Sequence, residues 1–112
     1  MSYTEIANKV RNAILATDGE LDCRCALASN LVMRLVEGGT IVDGMFNGNQ
    51  HFWVLVETEE GAVVFDATAE QFGAEGVYVG PLTEDYEIRY LLSATEIESS
   101  CDDEACWAQV AA

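Results

Sequence analysis

The hydrophobic pattern of the chain changes its period at Gly38-Gly39, and this change constrains the fold more than any other feature. Before the two glycines, apolar residues recur at helical spacing. After them, the apolar residues come in short runs rich in valine, isoleucine and aromatic residues, separated by turn residues, as is typical of strands. The sequence therefore predicts helices first and a sheet afterwards, the pattern of an α+β fold.

Two helices are predicted before the glycine pair. Ser2-Tyr-Thr-Glu5 forms a capping box, and the apolar stripe that follows predicts a helix from about residue 3 to about residue 16, before Asp18-Gly19. A second helix is expected to begin with Asp22 as its N-cap. It contains CRCALASNLVMRLVE, in which leucine recurs every fourth residue, and it ends at Gly38-Gly39.

The remaining chain predicts an antiparallel meander followed by a short helix over Asp102 to Ala111. The clearest hairpin turn is Glu59-Glu60-Gly61. We expect one domain over residues 1–112, with the helices packed on the sheet, because a chain of 112 residues can bury one core. The strand-like runs are TIVDGMF, HFWVLVE, AVVFDA, GVYVG and YEIRYLL.

The charge of the chain excludes one class of partner. Twenty acidic residues and five basic residues give a formal net charge of −15, which repels phosphate backbones, so nucleic-acid binding is not expected. A high-salt host, a basic protein partner and simple solubility each explain the acidity. The apolar runs are too short to cross a bilayer, and the N-terminal segment lacks a signal-peptide pattern, so we expect a cytoplasmic protein without membrane contact. The oligomeric state is not indicated.

Three residues form a candidate catalytic set. Cys25 lies in the first turn of the second predicted helix, where the helix N-terminus favours a thiolate. His51, the only histidine, opens a strand, and Asp66 lies near the end of the next one. In the right register the two side chains are cross-strand neighbours, either directly opposite or diagonal. Asp66 would then orient the imidazole, and His51 would take the thiol proton.

Three short motifs carry a resemblance to a known family. His51-Phe-Trp53, Asp66-Ala-Thr68 and Val42-Asp-Gly44 resemble the H-x-W, D-x-T and V-x-G motifs of the transglutaminase-like branch of the papain-like cysteine enzymes. The resemblance covers about residues 22 to 72. It implies a minimal papain-like core and a Cys–His–Asp triad that acts on an amide or acyl bond through a thioester. Trp53 shares a face with His51, so it either packs in the core or walls the site, and the resemblance implies the second, with the ring supporting the imidazole. Thr68 is also explained as a residue that satisfies a turn N–H.

The identity of the nucleophile is open between two cysteines. Cys23-Arg24 resembles the C-R start common among transglutaminase-like enzymes, whereas Cys25-Ala-Leu-Ala-Ser29 places small residues where a catalytic helix packs on a sheet. We favour Cys25 and keep Cys23 as the alternative. The backbone N–H of Cys25 is one candidate oxyanion donor. Gln71 is the first side-chain candidate, with Gln50 and Asn49 behind it, although Gln71 is also explained as a turn residue.

The other cysteines have a structural interpretation. All four, Cys23, Cys25, Cys101 and Cys106, could hold zinc, but C-x-C is tighter than the usual zinc spacing. We therefore expect Cys101 and Cys106 to pack as small apolar residues. No metal or other cofactor is expected, and the strand Tyr86–Leu92 is predicted to carry no chemistry.

These features predict a small cysteine hydrolase or amidase, of the peptidase or deamidase type. Its substrate would be a protein, a peptide or a small amide. Hydrolysis is favoured over cross-linking because nothing in the sequence identifies an amine site. The loops Phe46–Gln50 and Phe72–Gly76 would wall the site. The alternative is a catalytically inactive acidic binding or inhibitor module on the same fold.

Overall fold

A computed structural model describes residues 2–92 and 103–111, which form three helices packed on a five-stranded antiparallel sheet. The α+β class predicted from the sequence is therefore confirmed. In chain order the elements are α1 (Tyr3–Asp18), α2 (Cys25–Leu35), β1 (Gly39–Phe46), β2 (Asn49–Thr58), β3 (Gly61–Asp66), a 3-10 helix (Ala69–Phe72), β4 (Tyr78–Pro81), β5 (Tyr86–Leu92) and α3 (Asp103–Ala111).

The first helix begins at the predicted cap and ends at Asp18, beyond the predicted end at about residue 16. The Ser2 hydroxyl oxygen accepts a hydrogen bond from the backbone N–H of Glu5, at 3.2 Å. Gly19 ends the helix in the left-handed conformation, with φ of 79°. Such a conformation favours glycine because a Cβ atom is strained there.

The second helix begins later than predicted, so the assignment of Asp22 as its N-cap is wrong. Cys23 adopts a left-handed conformation, with φ of 61°, and Arg24 takes the N-cap position. The Arg24 backbone N–H donates to the carbonyl of Leu21, at 3.1 Å, which closes a turn before the helix. Because of this turn, Cys25 is the first residue of α2.

The sheet departs from a simple meander at its last strand. The strand order is β4-β3-β2-β1-β5, so the first four strands follow a meander and β5 returns to pair with β1. Only residues 82–85 connect the two edge strands. In a flat five-stranded sheet the edge strands lie about 19 Å apart, a distance that a four-residue connection reaches only when it is fully extended. The rings of Tyr78 on β4 and Tyr86 on β5 stack at 5.5 Å, which shows that the sheet curls and brings its edges together.

The curled sheet separates two apolar clusters. The helix core lies between the sheet and the helices and includes Val54 and Val56 of β2. The inner core lies on the opposite face and is made of Val42, Phe46, Trp53, Val64 and Tyr86. Alternation along each strand divides the side chains between the two clusters.

Cys106 of α3 is 1% exposed and belongs to the helix core, as its predicted packing role requires. Cys101 and the predicted helix start at Asp102 lie outside the described residues.

Gly44 allows close packing inside the curled sheet. The pairing of β1 with β5 shifts register between Asp43 and Gly44. A Cβ atom on Gly44 would overlap the carbonyl oxygen of Glu87 and lie 2.5 Å from the Trp53 ring. Only glycine fits at this position, because the Glu87 backbone and the Trp53 ring both lie against it. This close packing is the physical reason why Gly44 and Trp53 occur together in the sequence.

None of the helices among residues 2–92 and 103–111 has the length and apolar character needed to span a membrane.

Candidate active site

His51 and Asp66 form a buried pair on the inner face of the sheet. His51 Nε2 lies 2.8 Å from Asp66 Oδ2, and the two side chains are 0% and 1% exposed. Val54 pairs with Phe65, so continuing the register by one residue places Asp66 opposite Trp53 and makes His51 its diagonal neighbour. The pairing is the diagonal form of the two arrangements that the sequence allows.

The Asp66 carboxylate is held by two further donors. Its Oδ1 accepts a hydrogen bond from the backbone N–H of Thr68, at 3.2 Å. Its Oδ2 also accepts a hydrogen bond from the Tyr86 hydroxyl, at 2.9 Å. Tyr86 of β5 therefore belongs to the hydrogen-bond network around Asp66, although the sequence predicted no role in the site for this strand. Sequence reasoning missed this residue because no local pattern indicates that β5 returns to β1.

Cys25 lies within hydrogen-bonding reach of His51. Burial lowers the pKa of His51, but the hydrogen bonds to Asp66 and Cys25, and the negative charge of both partners, outweigh it and raise the pKa from 6.5 to about 9. At neutral pH the imidazole is therefore positively charged. Because Asp66 occupies Nε2, Nδ1 is the ring nitrogen that remains for the thiol. The structure thus brings together the three residues predicted as a triad.

An open cleft of about 460 Å³ gives access to Cys25. We call it the Cys25 cleft; it is lined by Asp22, Cys23, Cys25, Gln50, Phe52, Gln71 and Phe72. Cys23 is exposed at the rim, whereas Cys25 is half-buried. Asp66 and Cys25 are the side chains that raise the pKa of His51. The geometry therefore favours Cys25 over Cys23 as the partner of the histidine.

Two of the three predicted side-chain oxyanion donors line the cleft. Gln71 Nε2 donates to the Thr68 hydroxyl, at 3.2 Å, and lies 3.4 Å from His51 Nδ1. Gln50 also lines the cleft. The Asn49 amide instead donates to backbone carbonyls of its own turn. Thr68 accordingly does more than complete a turn, since its N–H and hydroxyl contact both Asp66 and Gln71.

The 3-10 helix that carries Gln71 is tied to α1 by an ion pair. Arg11 Nε donates to one carboxylate oxygen of Glu70, at 2.5 Å, and Arg11 Nη2 donates to the other, at 3.2 Å. This two-point contact fixes the orientation of the segment better than a single hydrogen bond would. Gln71 is consequently held at the cleft by a segment anchored to the helices.

Aromatic rings surround the imidazole. The Phe72 ring meets it edge to face, with centroids 4.8 Å apart, and the Trp53 ring lies at 6.0 Å. Trp53 is 0% exposed and belongs to the inner core, so it supports the imidazole from within the protein and does not line the cleft. Among residues 2–92 and 103–111, no group forms a hydrogen bond with Trp53 Nε1. Each of the two loops predicted to wall the site contributes one residue to the cleft lining. These residues are Gln50 from Phe46–Gln50 and Phe72 from Phe72–Gly76.

Within the described residues, no group of three or more His, Cys, Asp and Glu side chains is placed to hold a metal ion. The four-cysteine arrangement includes Cys101, which lies outside those residues.

Comparison of the chain with protein-family models gives no match, nor does comparison with curated proteins or with solved structures.

Proposed function

We propose that this protein is a small cysteine hydrolase or amidase that uses Cys25, His51 and Asp66 through a thioester. The observation that carries the proposal is the buried His51–Asp66 pair, 2.8 Å apart, with Cys25 in reach of the imidazole at the first residue of a helix and open to a cleft. A helix N-terminus, a charged imidazole and an accessible thiol together favour a reactive thiolate.

The first half of the reaction would form the thioester. Cys25 Sγ attacks the carbonyl carbon of an amide, and the oxyanion accepts hydrogen bonds from the Cys25 backbone N–H and from the amide of Gln71 or Gln50. The imidazolium of His51 gives its Nδ1 proton to the departing nitrogen, and the C–N bond breaks. The products of this step are a free amine and an acyl group on Cys25.

The second half would release the acyl group. Neutral His51 takes a proton from water, whose oxygen attacks the thioester carbonyl. The C–S bond breaks, and Cys25 leaves as a thiolate beside the reprotonated imidazole. Asp66 keeps the ring oriented and stabilises its positive charge throughout. Because the leaving group needs the proton of His51, we expect activity to fall as the pH rises through about 9.

The papain-like, transglutaminase-like resemblance of the motifs agrees with this proposal. A protein, a peptide or a small amide would be the substrate. The free thiols of Cys23 and Cys25 suit a reducing compartment, so the proposal includes a cytoplasmic location.

The test is iodoacetamide labelling as a function of pH, with the labelled cysteines mapped by mass spectrometry. In the wild type we expect Cys25 to react faster than Cys23, because it lies beside the His51 imidazolium at a helix N-terminus. Cys23→Ala is the matched control and should leave that rate unchanged. Asp66→Asn and His51→Gln should slow it at least about tenfold. Circular dichroism establishes that each variant is folded. Slow labelling at every cysteine, unaffected by His51, would overturn the proposal.

The net charge of −15 favours a second candidate, a catalytically inactive acidic module that covers a basic surface of another protein. Under this alternative, Cys25→Ala leaves the function intact, and replacing exposed acidic residues with their amides abolishes it. Pull-down of a partner by Cys25→Ala at wild-type strength, together with slow labelling, would favour this candidate.

A further inference from the structure

A second cavity, of about 310 Å³, adjoins the Cys25 cleft. Phe72 is the lining residue that the two spaces share. We call the second space the aromatic cavity. It is not part of the predicted triad, and the mechanism above does not use it.

Four aromatic rings make the wall of the aromatic cavity: Phe46, Phe72, Tyr78 and Tyr86. Phe46 touches two of the others, with ring centroids 5.8 Å from Phe72 and 4.6 Å from Tyr86. Tyr78 stacks on Tyr86 at 5.5 Å. Phe46 and Tyr86 are only 8% and 6% exposed, so the core holds these rings in place. The wall is therefore formed before any ligand arrives.

The cavity also has a negative charge at its exposed side. Asp85 lines it, and none of its lining residues is basic. Among the described residues, the Asp85 carboxylate takes part in no ion pair. Its charge reaches the rings of the wall: after burial, the negative charge of Asp85 is the second cause that raises the pKa of Tyr78.

We propose that the aromatic cavity binds a guanidinium group, as in an arginine side chain, from a substrate whose reacting amide lies over Cys25. Aromatic faces attract cations, and a planar guanidinium stacks on such rings better than an ammonium does. Asp85 supplies the opposite charge. The position of this group relative to Cys25 rests on the proposed function, whereas the binding itself does not.

The test compares two ligands of equal shape and different charge: N-acetylarginine amide and N-acetylcitrulline amide. Calorimetry with the Cys25→Ser variant measures binding without turnover. We expect the arginine ligand to bind at least about tenfold more tightly than the citrulline ligand. The variant Asp85→Asn should reduce that difference, because only the aromatic rings then attract the cation. Glu84→Gln makes the same change of charge one residue away, outside the cavity lining, and should leave the difference nearly intact.

Three outcomes would overturn the inference. Equal affinity for the arginine and citrulline ligands would mean that the rings accept neutral groups. If Asp85→Asn and Glu84→Gln reduced the preference for the arginine ligand equally, the net charge of the protein would attract the ligand without a specific site. If Nα-acetyllysine amide, which carries a side-chain ammonium group, bound as tightly as the arginine ligand, the cavity would not be selective for a guanidinium group.

The two proposals fail separately. Charge-selective binding that depends on Asp85, with slow labelling of Cys25, would retain the cation site and remove the enzyme. Fast labelling of Cys25 without charge-selective binding would retain the enzyme and remove the cation site.

Discussion

At the scale of single residues, the site depends on the hydrogen bonds that one buried carboxylate accepts. Asp66 accepts hydrogen bonds from the Thr68 backbone N–H, the His51 ring and the Tyr86 hydroxyl. A buried charge without such partners would be costly, so each donor contributes to stability as well as to orientation. Tyr86 therefore acts as a positioning residue for the imidazole, through Asp66.

The variant Tyr86→Phe tests this role. It removes one donor to Asp66 and leaves the ring in the inner core, so we expect the free energy of unfolding to fall by about 1–3 kcal/mol. The matched control is Tyr78→Phe, because the Tyr78 hydroxyl donates to the exposed carbonyl of Pro81 and its loss should cost less. Urea unfolding measures both values. Equal losses in the two variants would contradict the positioning role.

The charge state of His51 gives a second prediction at this scale. Since the chain has one histidine, its imidazole signal in a proton NMR titration is unambiguous. We expect a midpoint near 9 in place of 6.5. Asp66→Asn should move the midpoint down, because it removes the negatively charged partner. A wild-type midpoint near 6.5 would contradict the arrangement of the triad.

The same pKa shift predicts how stability depends on pH. The pKa of folded His51 is above that of the unfolded chain, so its stabilising contribution is complete below about pH 6.5 and is lost as the pH rises through about 9. The free energy of unfolding should fall over this window in the wild type and fall less in His51→Gln. Urea unfolding at several pH values measures the two slopes, and parallel slopes would count against the shift.

At the scale of elements, the return of β5 to β1 builds the inner core and brings Tyr86 to the site. Close contact at Gly44 is the condition for this packing, since the Glu87 backbone and the Trp53 ring both approach it. The element that closes the sheet is thus also the one that completes the hydrogen bonds of Asp66.

The variant Gly44→Ala should destabilise the protein by at least about 2 kcal/mol, because its methyl group would overlap backbone and a packed ring. The matched control on the same strand is Gly39→Ala. Its three nearest neighbours would be side-chain atoms, the sulfur of Met33 at 2.9 Å and methyl carbons of Val54 at 3.0 Å and Val36 at 3.2 Å, so we expect a smaller loss than at Gly44, where the nearest neighbour is backbone. Urea unfolding compares the two. A Gly44→Ala variant as stable as Gly39→Ala would show that β1 is not closely packed at this point.

At the scale of the whole molecule, the charge of −15 acts on stability through repulsion between surface carboxylates. We expect the melting temperature to rise with NaCl between about 0.01 M and about 1 M, a range over which the screening length falls from about 30 Å to about 3 Å. Thermal unfolding followed by circular dichroism measures it, with sucrose at equal osmolality as the uncharged control. A melting temperature that sucrose raises as much as NaCl does would exclude repulsion as the cause.

The sequence by itself determined the features that depend on neighbours along the chain. The capping box at Ser2, the change of period at Gly38-Gly39 and the hairpin after Thr58 follow from local backbone preferences and side-chain alternation. Alternation allows His51 and Asp66 to share a face of the sheet in one register of β2 and β3, and the structure adopts that register. The sequence therefore predicted the pair as a possibility, and the hairpin register decided it.

Only the tertiary structure decided the rest. The left-handed turn at Cys23, which makes Cys25 the first residue of α2 beside His51, depends on how the chain enters the helix core. The curl of the sheet, which brings Tyr86 to Asp66 and gathers the rings of the aromatic cavity, depends on packing between residues far apart in sequence. Local periodicity carries no signal for such contacts, because the strand pattern of β5 is equally compatible with either edge of the sheet.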